Sequence, residues 1–321
     1  ALGVEKSSTE LSSGAVDGLL ERAFSNREYV LSVSLLTVLT AAGWYYFLYP
    51  RADIGMIVME SDYFVPMSGS NLICTVTVAL ETGIVPMAGP STIVRVDTPA
   101  GLVEVEADCR GGKCRRITFR NIPSFVMHRD RQVEVDGLGT IRVDVAYGGM
   151  IYVIVNAEDL GFKLSRDEGR RLVEIGERIK QASAVQLPSV HPENPGIHTI
   201  NQTLFAGPLR TENGVKTAKN TVIVSPGRHD RSPCGTGTTA RLAIMHAKGQ
   251  IGLNEDFVHE SLIGTKFIGR VTGTGRCGDK DSVDIRITGR AWITAFHQYV
   301  LDPSDPFPLG YRVGDQWPES A

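Results

Sequence analysis

The residues with the clearest capacity for chemistry lie in one run, Asp230-Arg231-Ser232-Pro233-Cys234-Gly235-Thr236-Gly237-Thr238. A thiol there follows a proline and precedes a Gly/Thr-rich turn. An apolar helical pattern, Leu242 to Lys248, comes next and is closed by Gly249. This arrangement puts Cys234 at a helix N-terminus, where free backbone N–H groups and the helix dipole favour a thiolate and can hold a carboxylate ligand. A thiol so placed can remove and return a proton. The competing reading is a buried structural cysteine, since free Cys is among the most buried residue types. Asp230 opposes a thiolate unless a cationic ligand sits between the two, and it could also act simply as a cap on the approach to the helix.

A second copy of the pattern lies upstream. Met67-Ser68-Gly69-Ser70-Asn71 precedes an apolar helical run, Leu72 to Leu80, and Gly83 closes it. Ser68 to Gly83 and Cys234 to Gly249 both span fifteen positions. Each copy reads small polar residue, Gly, Ser or Thr, apolar helix, Gly. The first helix is apolar nearly all round, which predicts enclosure in a core. Two such units imply a duplicated architecture whose helix mouths face one site. Ser68 and Ser70 could equally serve as plain N-caps.

The elements that must position these residues follow from the rest of the chain. Its 321 residues allow roughly two domains, with 42% hydrophobic residues, 21% charged residues and a net charge of −3. No Lys/Arg block is present, which argues against nucleic-acid binding. Five cysteines without a dense framework fit free thiols in a reducing compartment, hence the cytoplasm. Cys109 and Cys114 flank a hairpin tip, so a local disulfide is conceivable there. No second cysteine pair or nearby His completes a zinc site, and no metal is expected.

A helical pattern around residues 16–23 leads into an uncharged run over 29–50. Its length suits a membrane span, but its Ser, Thr and Gly content favours a buried segment instead. A strand pattern follows at Ile54–Met59. Short Val/Ile-rich runs predict strands at Ser91–Val96, Leu102–Ala107, Arg115–Arg120, Gln132–Val135, Ile141–Ala146 and Met150–Val155. Ser165–Ala182 reads as an amphipathic helix. Further strands are expected at Thr199–Phe205, Asn220–Val224, Thr265–Thr272, Ser282–Ile287 and Ala291–Val300. The chain is therefore α+β, with two β-rich halves that each enclose a helix. Gly273-x-Gly275-x-x-Gly278 imitates a dinucleotide motif, but a strand follows it, which makes it a hairpin turn.

The run Asp230 to Thr238 resembles the second active-site motif of the proline racemase superfamily. Ala146-Tyr147-Gly148-Gly149, Glu260 to Phe267, Ile287 to Ala291, Arg51 to Gly55 and Glu81-Thr82-Gly83 agree as well, so the resemblance covers roughly 51–315. It implies a diaminopimelate-epimerase-like fold: two pseudosymmetric domains, each wrapping a sheet around a central helix, with the site between the helix mouths and no cofactor. The implied division is 1–114 plus about 292–321, carrying the Ser68 helix, and 115–291, carrying the Cys234 helix. The family's usual first motif is Met-Cys-Gly-His, and Met67-Ser68-Gly69-Ser70 departs from it. It is similar instead to a Ser/Cys subgroup associated with trans-3-hydroxy-L-proline dehydration and 4-hydroxyproline 2-epimerisation. Residues 1–50 hold no counterpart to the family's opening Asp-x-His and Gly-Glu.

Racemisation needs an acid and a base on opposite faces of the α-carbon, and a serine hydroxyl titrates too far from neutrality to be a good base. In trans-3-hydroxy-L-proline the hydroxyl and the α-hydrogen share a face, so Cys234 alone could serve both. The expectation is thus a cofactor-independent lyase with Cys234 and Ser68 as catalytic residues. Gly69, Ser70, Gly235 and Thr236 would donate to the carboxylate and the developing charge, and Asp230 would hold the ring nitrogen. The alternatives are a 4-hydroxyproline 2-epimerase or proline racemase-like isomerase, and a non-catalytic amino-acid-binding protein on the same fold. The expected partner is a small imino acid, with no nucleic acid, a membrane role disfavoured, and a monomer or homodimer.

Overall fold

The computed structural model describes residues 52–59 and 64–308. The helical pattern at 16–23, the uncharged run over 29–50 and Arg51 lie outside the described residues. Described residues up to Phe296 belong to one compact unit and those from His297 onward to a second. Among the described residues, every regular element lies in the first.

The expected Ile54–Met59 strand is two short pieces, β1 (Ile54–Gly55) and β2 (Val58–Met59), the latter paired with β3 (Phe64–Val65). Helix α1 (Gly69–Glu81) follows, then the antiparallel strands β4 (Ser91–Thr98), β5 (Gly101–Arg110) and β6 (Lys113–Arg120). Period-two alternation drives this sheet: Val94, Val96, Val103, Val105, Ala107, Ile117 and Phe119 all point inward and are buried. Cys109 and Cys114 face each other across the β5–β6 pair as free thiols, with sulfurs 3.9 Å apart.

Next come β7 (Ser124–Val135), β8 (Gly139–Tyr147) and β9 (Ile151–Asn156). Helix α2 (Gly169–Gln186) is entered through a short 3-10 turn with a Ser165/Glu168 capping box. Strands β10 (Gln202–Ala206), β11 (Arg210–Glu212), β12 (Val215–Val224) and β13 (Arg228–His229) lead to helix α3 (Gly235–Ala247). Strands β14 (Asp256–Glu260), β15 (Lys266–Cys277) and β16 (Lys280–Gly289) complete the sheet.

One sheet runs β1-β4-β5-β6-β16-β15-β14-β12-β10-β9-β8-β7, and β7 pairs back onto β16. That last pairing closes the strands from β16 round to β7 into a barrel-like ring, with α3 packed inside against β7, β8, β15 and β16. Helix α1 packs on β6 and β16 and meets α3. The result is the α+β, diaminopimelate-epimerase-like arrangement that the resemblance implied. Buried residues of both helices, among them Leu72, Ile73, Val76, Leu242 and Ile244, share one core. A second core lies where α2 packs Leu172, Ile175 and Ile179 against the other face of β9 and its neighbours.

The duplicated pattern is physical. Both helices have thirteen residues, are preceded by Ser68 and Cys234 as N-caps, and end two residues before a left-handed glycine, Gly83 or Gly249. Enclosure, however, is stronger for α3, which is buried continuously from Gly235 to Met245. Helix α1 keeps Ser70, Asn71, Cys74, Val78 and Glu81 partly open. Further expectations differ. Strand β7 begins at Ser124, well before Gln132, because two register irregularities interrupt its alternation. The short strands β3, β11, β13 and β14 have no counterpart among the strands expected from the sequence. Residues 290–300 form no strand: they gain no ladder partner among the described residues, and Trp292, Phe296, Tyr299 and Val300 stand exposed.

The β8–β9 turn lies flush on the first turns of α3. A Cβ on Gly148 would collide with the Thr236 carbonyl, the Thr239 hydroxyl and the Ala240 nitrogen. The Gly148 carbonyl accepts from Asn121 Nδ2 at 2.8 Å and Thr239 Oγ1 at 2.9 Å. Two of those obstacles are backbone, so the clash cannot relax cheaply. Gly148→Ala is expected to cost about 3 kcal/mol, seen as a lowered urea midpoint with an unchanged slope. A loss below about 0.5 kcal/mol, the range of ordinary surface changes, would contradict this packing.

Candidate active site

The N-termini of α1 and α3 meet head to head. A Cβ on Gly69 would lie 2.9 Å from Gly235 Cα, and one on Gly235 would lie 2.7 Å from Gly69 Cα. Only glycine at both positions permits this approach. Ser68 and Cys234, the two N-cap residues, therefore flank a single contact, and both are buried. The first intrahelical bonds are Leu72 N to Ser68 O and Thr238 N to Cys234 O. The amides of Gly69, Ser70, Gly235 and Thr236 thus have no intrahelical carbonyl behind them, and they point into the mouth. All seven residues singled out from the sequence fall on these two mouths or on the loop leading to one of them.

Cys234 has φ 65 and ψ 111, a conformation rare for a residue with a side chain. Several bonds fix it there. Its sulfur accepts the Gly237 N–H at 3.3 Å and lies 3.3 Å from the Tyr152 hydroxyl on β9. Tyr152 Oη is 2.6 Å from Thr236 Oγ1. The Cys234 carbonyl accepts from Thr238 Oγ1 at 2.6 Å. Thr238 in turn meets His259 Nδ1 at 2.8 Å, and His259 Nε2 lies 3.1 Å from the Arg241 guanidinium. Arginine can only donate, so His259 accepts at Nε2 and carries its proton on Nδ1. Burial and Arg241 hold His259 well below its usual range, so it stays neutral.

Ser68 does not cap α1 with its side chain. Its hydroxyl instead accepts the side-chain amide of Asn71 at 3.1 Å, which leaves the Ser68 proton free to donate. Upstream of Cys234, Asp230 Oδ1 accepts the Ser232 N–H at 2.8 Å, and Ser232 Oγ accepts the Cys234 N–H at 3.0 Å. This pair of tight turns holds the carboxylate near the thiol.

The electrostatics correct one expectation. The helix mouth lowers the Cys234 pKa through Gly237, as Tyr152 and Thr236 do, but burial and then the Asp230 charge win, and the thiol is pushed up to about 12. Burial likewise raises Asp230, partly offset by its bonds to Ser232 and by Arg228. Burial and the Asp230 charge thus favour the thiol over the thiolate at neutral pH. Among the described residues no three His, Cys, Asp or Glu side chains converge as a metal would require.

The sequence model of the proline racemase family matches residues 45–312. The chain belongs to the proline racemase family. A crystal structure of a probable proline racemase from Agrobacterium radiobacter K84, with bound carbonate, is 34% identical; the match covers 83% of this chain and 77% of that one, with a TM-score of 0.76. A hydroxyproline epimerase from Agrobacterium vitis, with bound trans-4-hydroxy-L-proline, is 36% identical over 84% of this chain and 76% of that one, with a TM-score of 0.77. Membership and these neighbours make the chain an enzyme of the racemase/epimerase type.

In this family member, sequence reasoning missed Asn71, Tyr152, Thr238, His259 and Arg241. Asn71 stands beside the first motif and was legible as a candidate. Thr238 ends the Asp230–Thr238 run and Arg241 lies three residues beyond it, so both were within reach as well, whereas only long-range packing brings Tyr152 and His259 to this neighbourhood.

Because the Asp230 charge raises the thiol pKa, removing that charge must lower it and increase the thiolate fraction at any pH below it. Asp230→Asn is therefore expected to speed alkylation of Cys234 in the ligand-free enzyme about tenfold per unit of pKa lost, measured by peptide mass spectrometry at pH 8. A slower or unchanged rate would refute the assignment of Asp230 as the opposing charge.

Proposed function

We propose that this enzyme dehydrates trans-3-hydroxy-L-proline to pyrroline-2-carboxylate, with Cys234 as a single acid and base. The observation that carries this reading is the pairing of one thiol with one hydroxyl at the joined helix mouths. The free amides of Gly69, Ser70, Gly235 and Thr236 would take the substrate carboxylate and the charge that develops on it when the α-proton leaves. Asp230 would take the cationic ring nitrogen. That cation offsets the Asp230 charge, lowering the thiol pKa when substrate is bound and making the base available at the moment it is needed.

The step balances within the substrate. The thiolate removes the α-proton, the C–H electron pair forms the ring double bond, and the C3–O bond breaks. The new thiol proton passes to the departing hydroxyl on the same face, giving water and regenerating the thiolate. Ser68, whose oxygen already accepts from Asn71, is suited to donating a hydrogen bond rather than to abstracting a proton. No cofactor is needed. The five cysteines, all free thiols, suit the reducing cytoplasm we propose as its location.

A second reading, 4-hydroxyproline 2-epimerisation, is favoured by the neighbour that binds trans-4-hydroxy-L-proline. It would require Ser68 to return a proton to the opposite face of the α-carbon.

Proton NMR in deuterated water separates these readings. Wild type is expected to convert trans-3-hydroxy-L-proline to a pyrroline-2-carboxylate signal, and Cys234→Ala to lose at least about 100-fold in rate. Ser68→Ala should lose less than about tenfold, since the hydroxyl contributes only a hydrogen bond. An untouched trans-3-hydroxy-L-proline together with α-inversion of trans-4-hydroxy-L-proline would overturn the dehydratase in favour of the epimerase. Silence with both would leave an amino-acid-binding role on the same fold.

A further inference from the structure

Tyr152 lies on β9, separated in the sheet by β10 from the strand β12 beside which the Cys234 loop begins, and its side chain is fully buried. Burial of a phenol is costly unless its hydroxyl finds partners. Here it has two: Cys234 Sγ at 3.3 Å and Thr236 Oγ1 at 2.6 Å. Thr236 and Cys234 also approach each other at 3.7 Å. The three groups form a closed triangle at the first turn of α3, out of contact with bulk water.

A hydroxyl has one proton, so the triangle has a preferred direction in each ionisation state. With Cys234 as a thiol, the sulfur can donate to Tyr152, which donates on to Thr236. With Cys234 as a thiolate, Thr236 donates to Tyr152, and the Tyr152 proton turns to the sulfur. Rotation of two hydroxyls accomplishes the change without moving a heavy atom. Tyr152 itself does not ionise, since burial and the neighbouring cysteine raise it well above the usual phenol range. Asp230, on the loop, is the opposing titratable group at the thiol, and the Gly237 amide is the other donor.

We propose that Tyr152 is a positioning residue: it fixes the orientation of Cys234 Sγ and, through a reversible Thr236–Tyr152–Cys234 hydrogen-bond relay, stabilises the thiolate. The proposal rests on the reading of Cys234 as the acid/base, but its first test does not need turnover.

The test compares Cys234 alkylation by iodoacetamide in wild type, Tyr152→Phe, Thr236→Val and Thr236→Ser at one pH near 8.5, read on the Cys234 peptide. Loss of a hydrogen bond to a charged group should slow Tyr152→Phe about tenfold. Thr236→Val should slow in the same direction, and Thr236→Ser should restore the wild-type rate. Both other effects of removing the hydroxyl run the opposite way. Extra space would admit the reagent faster, and unfolding would expose an ordinary, faster thiol. An unchanged or faster rate in Tyr152→Phe therefore overturns the proposal. In turnover with the substrate that wild type converts, kcat should fall about tenfold with KM within about twofold; an equal rise in KM alone would mark Tyr152 as a binding residue instead. Failure of the functional reading would appear separately, as no turnover by wild type of either hydroxyproline.

Discussion

The contact between Gly69 and Gly235 is the constraint from which the site follows. Two helix N-termini, each carrying roughly half a positive charge, are brought within van der Waals distance, an arrangement that repels itself. It persists because the surrounding sheet and the shared core of Leu72, Ile73, Leu242 and Ile244 hold both helices in place. Free amides on both mouths converge on a space between like partial charges. An anion placed there would relieve the repulsion and satisfy the amides together, which is the physical ground for assigning the substrate carboxylate to this place under the proposed function.

The same geometry imposes a conflict on Cys234. The helix mouth and the Gly237 amide favour its thiolate, whereas burial and Asp230 disfavour it, and the second pair dominates. The conflict has chemical use under the proposed function. A zwitterionic imino acid would bring a carboxylate to the amides and a cation to Asp230, and the cation would offset the Asp230 charge, which ranks second to burial among the effects acting against the thiolate. A base that ionises only beside its substrate is protected from alkylation and oxidation at other times, because thiolate character controls both.

Much of this was legible in the sequence because it is local. The equal spacing of Ser68–Gly83 and Cys234–Gly249 reports helices of one length, and both have thirteen residues, although the Cys234 side chain caps its helix and that of Ser68 does not. Alternation in β4, β5 and β8 reports strands with one buried face. What escaped detection was long-range or irregular. Strand β7 hides its first half in a polar stretch around His128 to Arg131, where irregular register and a left-handed Asp130 break the alternation. Residues 291–300 carry strand-forming residue types, but type alone cannot supply a ladder partner. The thiol's ionisation was misjudged because the helix start is visible in sequence while the depth of burial is not.

Strand β9 shows why a chemically important residue can lie inside an unremarkable apolar run. Both of its faces are buried, so Ile151-Tyr152-Val153-Ile154-Val155 carries no amphipathic signal. Yet the pleat still sends alternate residues to different places. Ile151, Val153 and Val155 pack in the core beneath α2, while Tyr152 and Ile154 enter the core shared by α1 and α3. A one-residue change of register would exchange the two sets and move the phenol away from Cys234. The parallel pairing of β9 with β10, which sets Tyr152 opposite Gln202, and its antiparallel pairing with β8, which sets Tyr152 opposite Ala146, therefore fix more than the sheet. They fix the distance between a hydroxyl and a sulfur on separate elements, and a strand held on both edges and both faces does this more rigidly than a loop could.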